Sequence, residues 1–363
     1  MNKYKVAIIG ATGMVGQRFI SLLENHKWFD IVIVAASSRS AQKKYCEAVG
    51  GRWSMPTPIP PAINDMMVYD AVADAETIAE QVDFVFCAVD MNKDETKALE
   101  ERYAKLECPV ISNNSAHRST PDVPMIIPEL NSNHVKVIDF QRRRLGTKTG
   151  FIAVKSNCSL QSYVPALYPL NKFGLQDVLC CTYQAISGAG KTFETWPEMI
   201  DNVIPYIGGE EEKSENEPLK IFGTIENGKI INNKSLCFTS QCVRVPVSDG
   251  HLATVFARFK VKPEIKEIIQ IWENFKGRPQ QLNLPSAPKQ FLHYFDDNSF
   301  PQTKSERNLE GGMAISLGRL RHDNQYDIKF VGLSHNTIRG AAGGAILMAE
   351  LLCAEDYIPN SGK

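Results

Sequence analysis

YKVAIIGATGMVGQRF, residues 4 to 19, decides the reading of the fold. Val6 to Ile9 form an unbroken apolar run that stops at Gly10, the pattern of a strand buried on both faces. Glycines follow at 10, 13 and 16, and QRFISLLENH then repeats apolar residues at 19, 20, 22 and 23, as one face of a helix does. Gly10, Thr12, Gly13, Met14, Val15 and Gly16 therefore occupy a strand-to-helix turn. Glycines there let the backbone bend tightly and approach a pyrophosphate, which the helix terminus attracts. The spacing is G-x-x-G-x-x-G, a looser form of the commoner G-x-G-x-x-G.

Working outward, IVIVAAS, VDFVFCAV and CPVISNN read as further strands, each separated from the last by helical sequence. Strands alternating with helices imply parallel pairing, so the first part of the chain is expected to be α/β, a Rossmann-type doubly wound sheet. The end of the second strand reads AASSRSAQKK, with no carboxylate to hold ribose hydroxyls. Ser37, Ser38, Arg39, Ser40 and Lys43 suit a 2′-phosphate instead, which points to NADP(H).

The texture changes near residue 175. LQDVLCCTYQAISG, SLCFTSQCVRVPV and HLATVFARFK look like longer strands of a mostly antiparallel sheet, and KPEIKEIIQIWENFK like a helix. An α+β catalytic and oligomerisation domain over residues 158–335 is expected. Residues 1–157 and 336–363 would form the cofactor domain, with TIRGAAGGAILMAELLC returning to it as a helix. A length of 363 residues favours two domains over one core.

Composition excludes several classes. The net charge of −1 disfavours nucleic-acid and membrane-surface binding. No stretch approaches the ~20 apolar residues of a membrane span, and the start lacks a signal-peptide pattern. Nine cysteines without a framework suit a reducing, cytoplasmic compartment. Cys180 and Cys181 are adjacent and have no matching second pair, so no metal site is expected. Together with Cys108 and Cys242 they are read as core filling.

KSNCSLQ, residues 155–161, is different. Ser156 or Asn157 could cap a helix beginning near Cys158, and a thiol in that first turn would be favoured as thiolate by the helix dipole. Pro165 should kink that helix or limit its first segment. QAISGAGK, from Gln184, ends an apolar strand in a glycine-rich loop. RVPVSDGH puts Arg244 and His251 seven residues apart, and SNNSAHR ends in Arg118. A thiol, an imidazole, anion-binding arginines and a nicotinamide site together suit reductive acyl transfer. A thiolate takes the acyl group as a thioester, which hydride then reduces to an aldehyde.

These segments, with IPELN, NVIPYIGGEEEK and HNTIRGAAGGA, resemble the aspartate-β-semialdehyde dehydrogenase family, in its archaeal and fungal branch, over nearly the whole chain. The resemblance implies Cys158 as acyl-accepting nucleophile, His251 as general acid/base, Gln184 orienting the intermediate and Asn157 positioning the acyl group. It implies Arg244 on the substrate α-carboxylate, Glu210 on the amino group (with Glu211 its competitor), and Arg118 with Lys213 around phosphate. Ser187, Gly188 and Asn336 would lie near the nicotinamide. The implied reaction is NADPH-dependent reduction of L-aspartyl-4-phosphate to L-aspartate 4-semialdehyde, feeding lysine, threonine and methionine synthesis, by a homodimer or homotetramer. The rivals are an acyl-CoA reductase of the malonyl-CoA type, N-acetylglutamyl-phosphate reductase, and a non-catalytic NADP-binding sensor.

Overall fold

The structure, a computed structural model, describes residues 3–360 and 362. The opening run forms β1 (Tyr4–Ile9) and the helix Met14–Leu23. It is joined by β2 (Phe29–Ala36), β3 (Val68–Asp70), β4 (Phe84–Cys87), β5 (Val110–Ser112), β6 (Met125–Ile126) and β7 (Ile152–Lys155). All pair in parallel, in the order β3-β2-β1-β4-β5-β7-β6. Chain order reverses between β1 and β4, and a crevice opens at the carboxyl ends of the strands at such a switch point.

Gly10 makes that crevice possible. A Cβ there would sit 2.3 Å from the Ala88 carbonyl oxygen, and φ is +91°. Gly10 and Ala11 both donate to the Ala35 carbonyl, so the turn is tied to the end of β2.

The second sheet contains β8 (Leu175–Gln184), β11 (Cys237–Arg244), β12 (His251–Phe259), β13 (Leu292–Phe295), β14 (Ile315–His322) and β15 (Ile328–Ser334). A separate hairpin of β9 (Thr224–Glu226) and β10 (Lys229–Ile231) lies between β8 and β11 in sequence. The sheet order is β11-β8-β12-β15-β14-β13. Its three central pairings are antiparallel, but β11–β8 and β13–β14 are parallel. The sheet is thus more mixed than the strand texture suggested, because a parallel partner needs a crossover. Residues 185–236 supply it and carry the helix Glu210–Ile221.

This topology brings the functional segments to one end. Parallel pairing sets Arg244 opposite Gln184. Antiparallel β12 begins with His251 at that same end, where Leu252 pairs with Tyr183.

The carboxy-terminal helix packs on the first sheet. Ala345 to Ala349 are buried in one cluster with Val6, Ile8, Phe84 and Phe86. It begins only at Gly343, because Ile338–Ala342 forms a wider turn broken at Ala341 (φ −142°, ψ −109°). A second buried cluster is continuous from Ala7, Ile9 and Val85 of the first sheet to Val255 and Phe330 of the second.

Candidate active site

The α-helix expected at Cys158 does not form. Ser159–Ser162 is a single 3-10 turn, followed by Val164–Leu167, four residues with Pro165 in its first turn. Pro165 has no amide hydrogen to extend the first turn. Locally, Asn157 Oδ1 accepts from the Ser159 amide at 2.8 Å and the Ser159 hydroxyl at 2.7 Å. Asn157, and not Ser156, therefore satisfies the turn, as short polar side chains do.

Cys158 Sγ lies 3.4 Å from His251 Nε2. The Ala185 amide donates to His251 Nδ1 at 3.1 Å, so in the neutral ring the proton sits on Nε2 and points at the sulfur. Burial, helped by Arg244, pulls the His251 pKa down to about 3, so the ring is neutral at physiological pH. Arg244 Nη1 donates to the Ala185 carbonyl at 2.7 Å, which ties the cation to the same loop. A Cβ on Gly188 would come within 3.2 Å of His251 Nε2 and 3.0 Å of Arg244 Nη1. Bare backbone at that position keeps the space beside the pair open.

The helix from Glu210 closes the other side. Asn157 Nδ2 donates to both Glu210 oxygens at 3.0 Å, Gln184 Nε2 approaches at 3.3 Å, and Lys213 Nζ pairs at 2.8 Å. Burial alone would raise the Glu210 carboxyl, but Lys213, Asn157 and Gln184 hold it below the usual carboxylate range. Glu211 turns away, and its carboxylate accepts from the Cys242 amide at 3.2 Å. Of the two carboxylates, Glu210 faces the cysteine.

Glu217, two turns further on, joins the same network and was missed by sequence reasoning. Its carboxylate accepts from the Asn157 amide at 2.6 Å and from Arg118 Nη1 at 2.9 Å. Arg118 also donates to the carbonyls of Lys155 (2.9 Å) and Asn113 (3.2 Å). Lys220 donates to the carbonyls of Arg118, Thr120 and Val123, fixing the loop that carries Arg118. The signal was present as spacing: 210, 213, 217 and 220 fall on one helical face.

Thiolate promotion by a helix dipole is not what the resting site displays. Burial and then Glu210 push the Cys158 thiol up to about 11, against the opposing pull of Lys155, Arg118 and Arg244. Burial is the main cause of the reversal, and two facts add to it: a carboxylate stands nearby, and the 3-10 turn offers only a short stack of amides.

The cofactor crevice, of about 890 Å³, is lined by Gly10, Thr12, Gly13, Ser37, Ser38, Arg39, Ser40 and Lys43 among others. Gly13 is exposed, and a Cβ built there would meet only the Gly10 carbonyl oxygen, at 3.5 Å. The backbone is thus open to a pyrophosphate, and Arg39 with Lys43 beyond it fits a 2′-phosphate. Met14, Val15 and Gly16 lie outside the lining: Gly16 packs on the Gly10 carbonyl, and Val15 leans on the core. Arg52, Asp70, Asp90 and Arg102 also line the crevice and carried no motif. Asn336 bridges the Gly250 amide and the Ser187 hydroxyl, each at 2.8 Å, so Ser187, Gly188 and Asn336 stand beside the Cys158–His251 pair.

Cys108, Cys180 and Cys242 are buried as expected, but Cys181 is half-exposed because alternate residues of β8 face opposite ways. Among the described residues no cluster could hold a metal ion, and no helix is long and apolar enough to cross a membrane.

Comparison with known proteins agrees with this architecture. The semialdehyde dehydrogenase NAD-binding domain matches residues 5–138, and the semialdehyde dehydrogenase dimerisation domain matches residues 167–339. Aspartate-semialdehyde dehydrogenase of Aspergillus fumigatus is 38% identical over 365 residues, covering 98% of this chain and 99% of the relative. That of Methanothermobacter thermautotrophicus is 39% identical over 350 residues, covering 96% and 98%. The crystal structure of the Candida albicans enzyme with NADP superposes with a TM-score of 0.88 at 36% identity, covering 98% of this chain and 100% of that one. The chain belongs to the semialdehyde dehydrogenase family, among its aspartate-semialdehyde dehydrogenases of archaeal and fungal type.

Proposed function

We propose that the chain reduces L-aspartyl-4-phosphate to L-aspartate 4-semialdehyde and phosphate with NADPH, in the supply of lysine, threonine and methionine. The observation that carries this reading is the 3.4 Å approach of Cys158 Sγ to His251 Nε2, framed by Gln184, Arg244 and Glu210. Cys158 gives up its proton and attacks the acyl carbon, a C–S bond forms, the C–O bond to phosphate breaks, and phosphate leaves carrying that proton. When bound, NADPH supplies the hydride that reduces the thioester carbon. The C–S bond then breaks, releasing the aldehyde and regenerating the thiolate.

His251 Nε2–H is placed to donate to whichever atom carries the charge, first sulfur and then the former carbonyl oxygen. This is the acid half of the acid/base role that the family resemblance assigns. Gln184 orients the acyl oxygen, and Asn157 holds the acyl group beside the thiol. Arg244 receives the α-carboxylate and Glu210 the ammonium. Arg118 and Lys213, on either side of Asn157, receive phosphate, exchanging carboxylate partners for the anion. The crevice residues around Gly10–Gly13 hold the pyrophosphate, with Arg39 and Lys43 on the 2′-phosphate. Ser187, Gly188 and Asn336 hold the nicotinamide end.

An acyl-CoA reductase is less well supported, since the cations flanking Asn157 suit a small anion better than a thiol leaving group. A non-catalytic sensor has no need of the Cys158–His251 geometry. The dimerisation-domain match supports a homo-oligomer, and we assign a cytoplasmic homodimer or homotetramer built through residues 158–335. NADPH formation from L-aspartate 4-semialdehyde should require phosphate. If CoA, and not phosphate, supports turnover, the leaving-group assignment is wrong.

A further inference from the structure

The mechanism leaves Lys155 without a task. It ends β7, three residues before Cys158, and is only 2% exposed. Its Nζ carries three donors but, among the described residues, makes a single hydrogen bond, to the Ser156 carbonyl at 3.1 Å. Among the described residues no carboxylate forms an ion pair with it, whereas Arg118 is paired by Glu217 and Arg339 by Glu129. An unpaired buried cation is costly, and a fold alone would be better served by an apolar side chain.

Residues 340–344, the end of the wide turn and the start of the last helix, cover both Lys155 and Cys158. A Cβ on Gly340 would lie 2.8 Å from Cys158 Cβ, and one on Gly344 would lie 2.9 Å from Lys155 Cε. The two side chains thus lie under the same five-residue segment, Lys155 buried and Cys158 partly accessible.

We propose that Lys155 is a positioning residue for charge at the nucleophile, its buried ammonium stabilising the Cys158 thiolate. This rests on the reading of Cys158 as the reacting thiol. The charged groups around Lys155 are Cys158, Arg118, Arg339 and Glu217; those around Cys158 are Glu210, Lys155, Arg118 and Arg244, with neutral His251 against the sulfur. Glu210 works against the thiolate, and Lys155 is the first of the cations that oppose it. Burial pulls the Lys155 ammonium down to about 7, and Cys158 is the strongest influence raising it, so each charge favours the other.

The test is the pH dependence of Cys158 alkylation by iodoacetamide, followed on the Cys158 peptide by mass spectrometry in the ligand-free enzyme. It needs no substrate, so it stands apart from the proposed reaction. Lys155→Met removes charge and hydrogen bond, and Lys155→Gln keeps a donor for the Ser156 carbonyl. Both should slow alkylation about tenfold at pH 6, where the ammonium is present, and the gap to the wild type should close above about pH 7 as Lys155 loses its proton. Neither should lower the thermal midpoint. Lys155→Arg should keep most of the wild-type profile. If Lys155→Gln alkylates like the wild type, the lysine serves only as a hydrogen-bond donor and the inference fails. Should Lys155→Met not fold, Lys155→Gln decides alone. Failure of the phosphate-dependent assay with this profile intact would count against the substrate, not against Lys155.

Discussion

Glu217→Gln tests how the site is assembled. The wild-type carboxylate is nearly buried and takes two charge-assisted bonds, from the Asn157 amide at 2.6 Å and from Arg118 at 2.9 Å. Such bonds contribute about 1.5–3 kcal/mol each. Glutamine keeps one acceptor oxygen, so one bond survives, while its amide hydrogens face a donor on the other side. Loss of one bond with an opposed donor predicts about 2–3 kcal/mol of destabilisation, a thermal midpoint lower by roughly 3 °C for a chain this long. Arg118 would stay in place through the Lys155 and Asn113 carbonyls, freed of its competing carboxylate. The KM for phosphate should therefore hold or fall, while kcat drops as Asn157 loses its anchor. Differential scanning fluorimetry and phosphate titration measure both effects. A variant within about 0.5 kcal/mol of wild type with unchanged kcat would refute the claim that Glu217 ties the two loops together.

Two further outcomes follow from the same geometry. Arg39 is exposed on the crevice, and Arg39→Ala should raise the KM for NADPH on the order of tenfold while leaving that for NADH nearly unchanged; equal effects would remove it from the 2′-phosphate. His251 and His335 are held neutral by burial, down to about 3 and about 4, below the ~6.5 of an unfolded chain. Depressed folded values mean stability present above about pH 6.5 and lost as pH falls, because the unfolded chain takes up protons the folded one refuses. Each should account for about 2 kcal/mol lost between pH 6.5 and pH 5, and His251→Asn should flatten that slope measured by denaturant melts.

The nucleotide-binding half was legible in the sequence because its signals are local. An apolar run ending at Gly10 and a strand end rich in hydroxyls and cations each carry their meaning within ten residues. The second sheet was less legible, since nothing in SLCFTSQCVRVPV says that it runs parallel to LQDVLCCTYQ. That direction depends on a crossover of some fifty residues, and it is what sets Arg244 beside Gln184. Cys158 was singled out from its own stretch of sequence together with the Gln184, Arg244 and His251 segments, but its electrostatics were not legible there. The thiol's surroundings come from Lys155 in its own stretch and from Glu210, Arg118 and Arg244, brought from three others, and burial outweighs a turn too short to act as a helix. Glu217 and Lys155 were overlooked because a lone carboxylate and a lone lysine look like solvated charge until their burial is known.

The most direct measurement of the central claim is the mass of the enzyme after reaction with L-aspartate 4-semialdehyde and NADP without phosphate. The account predicts one aspartyl group per active site, released by hydroxylamine as a thioester would be. It maps to the Cys158 peptide, forms with one equivalent of NADPH, and is discharged by adding phosphate. An enzyme that makes NADPH while Cys158 stays unmodified, or that carries the acyl group on another residue, would contradict it.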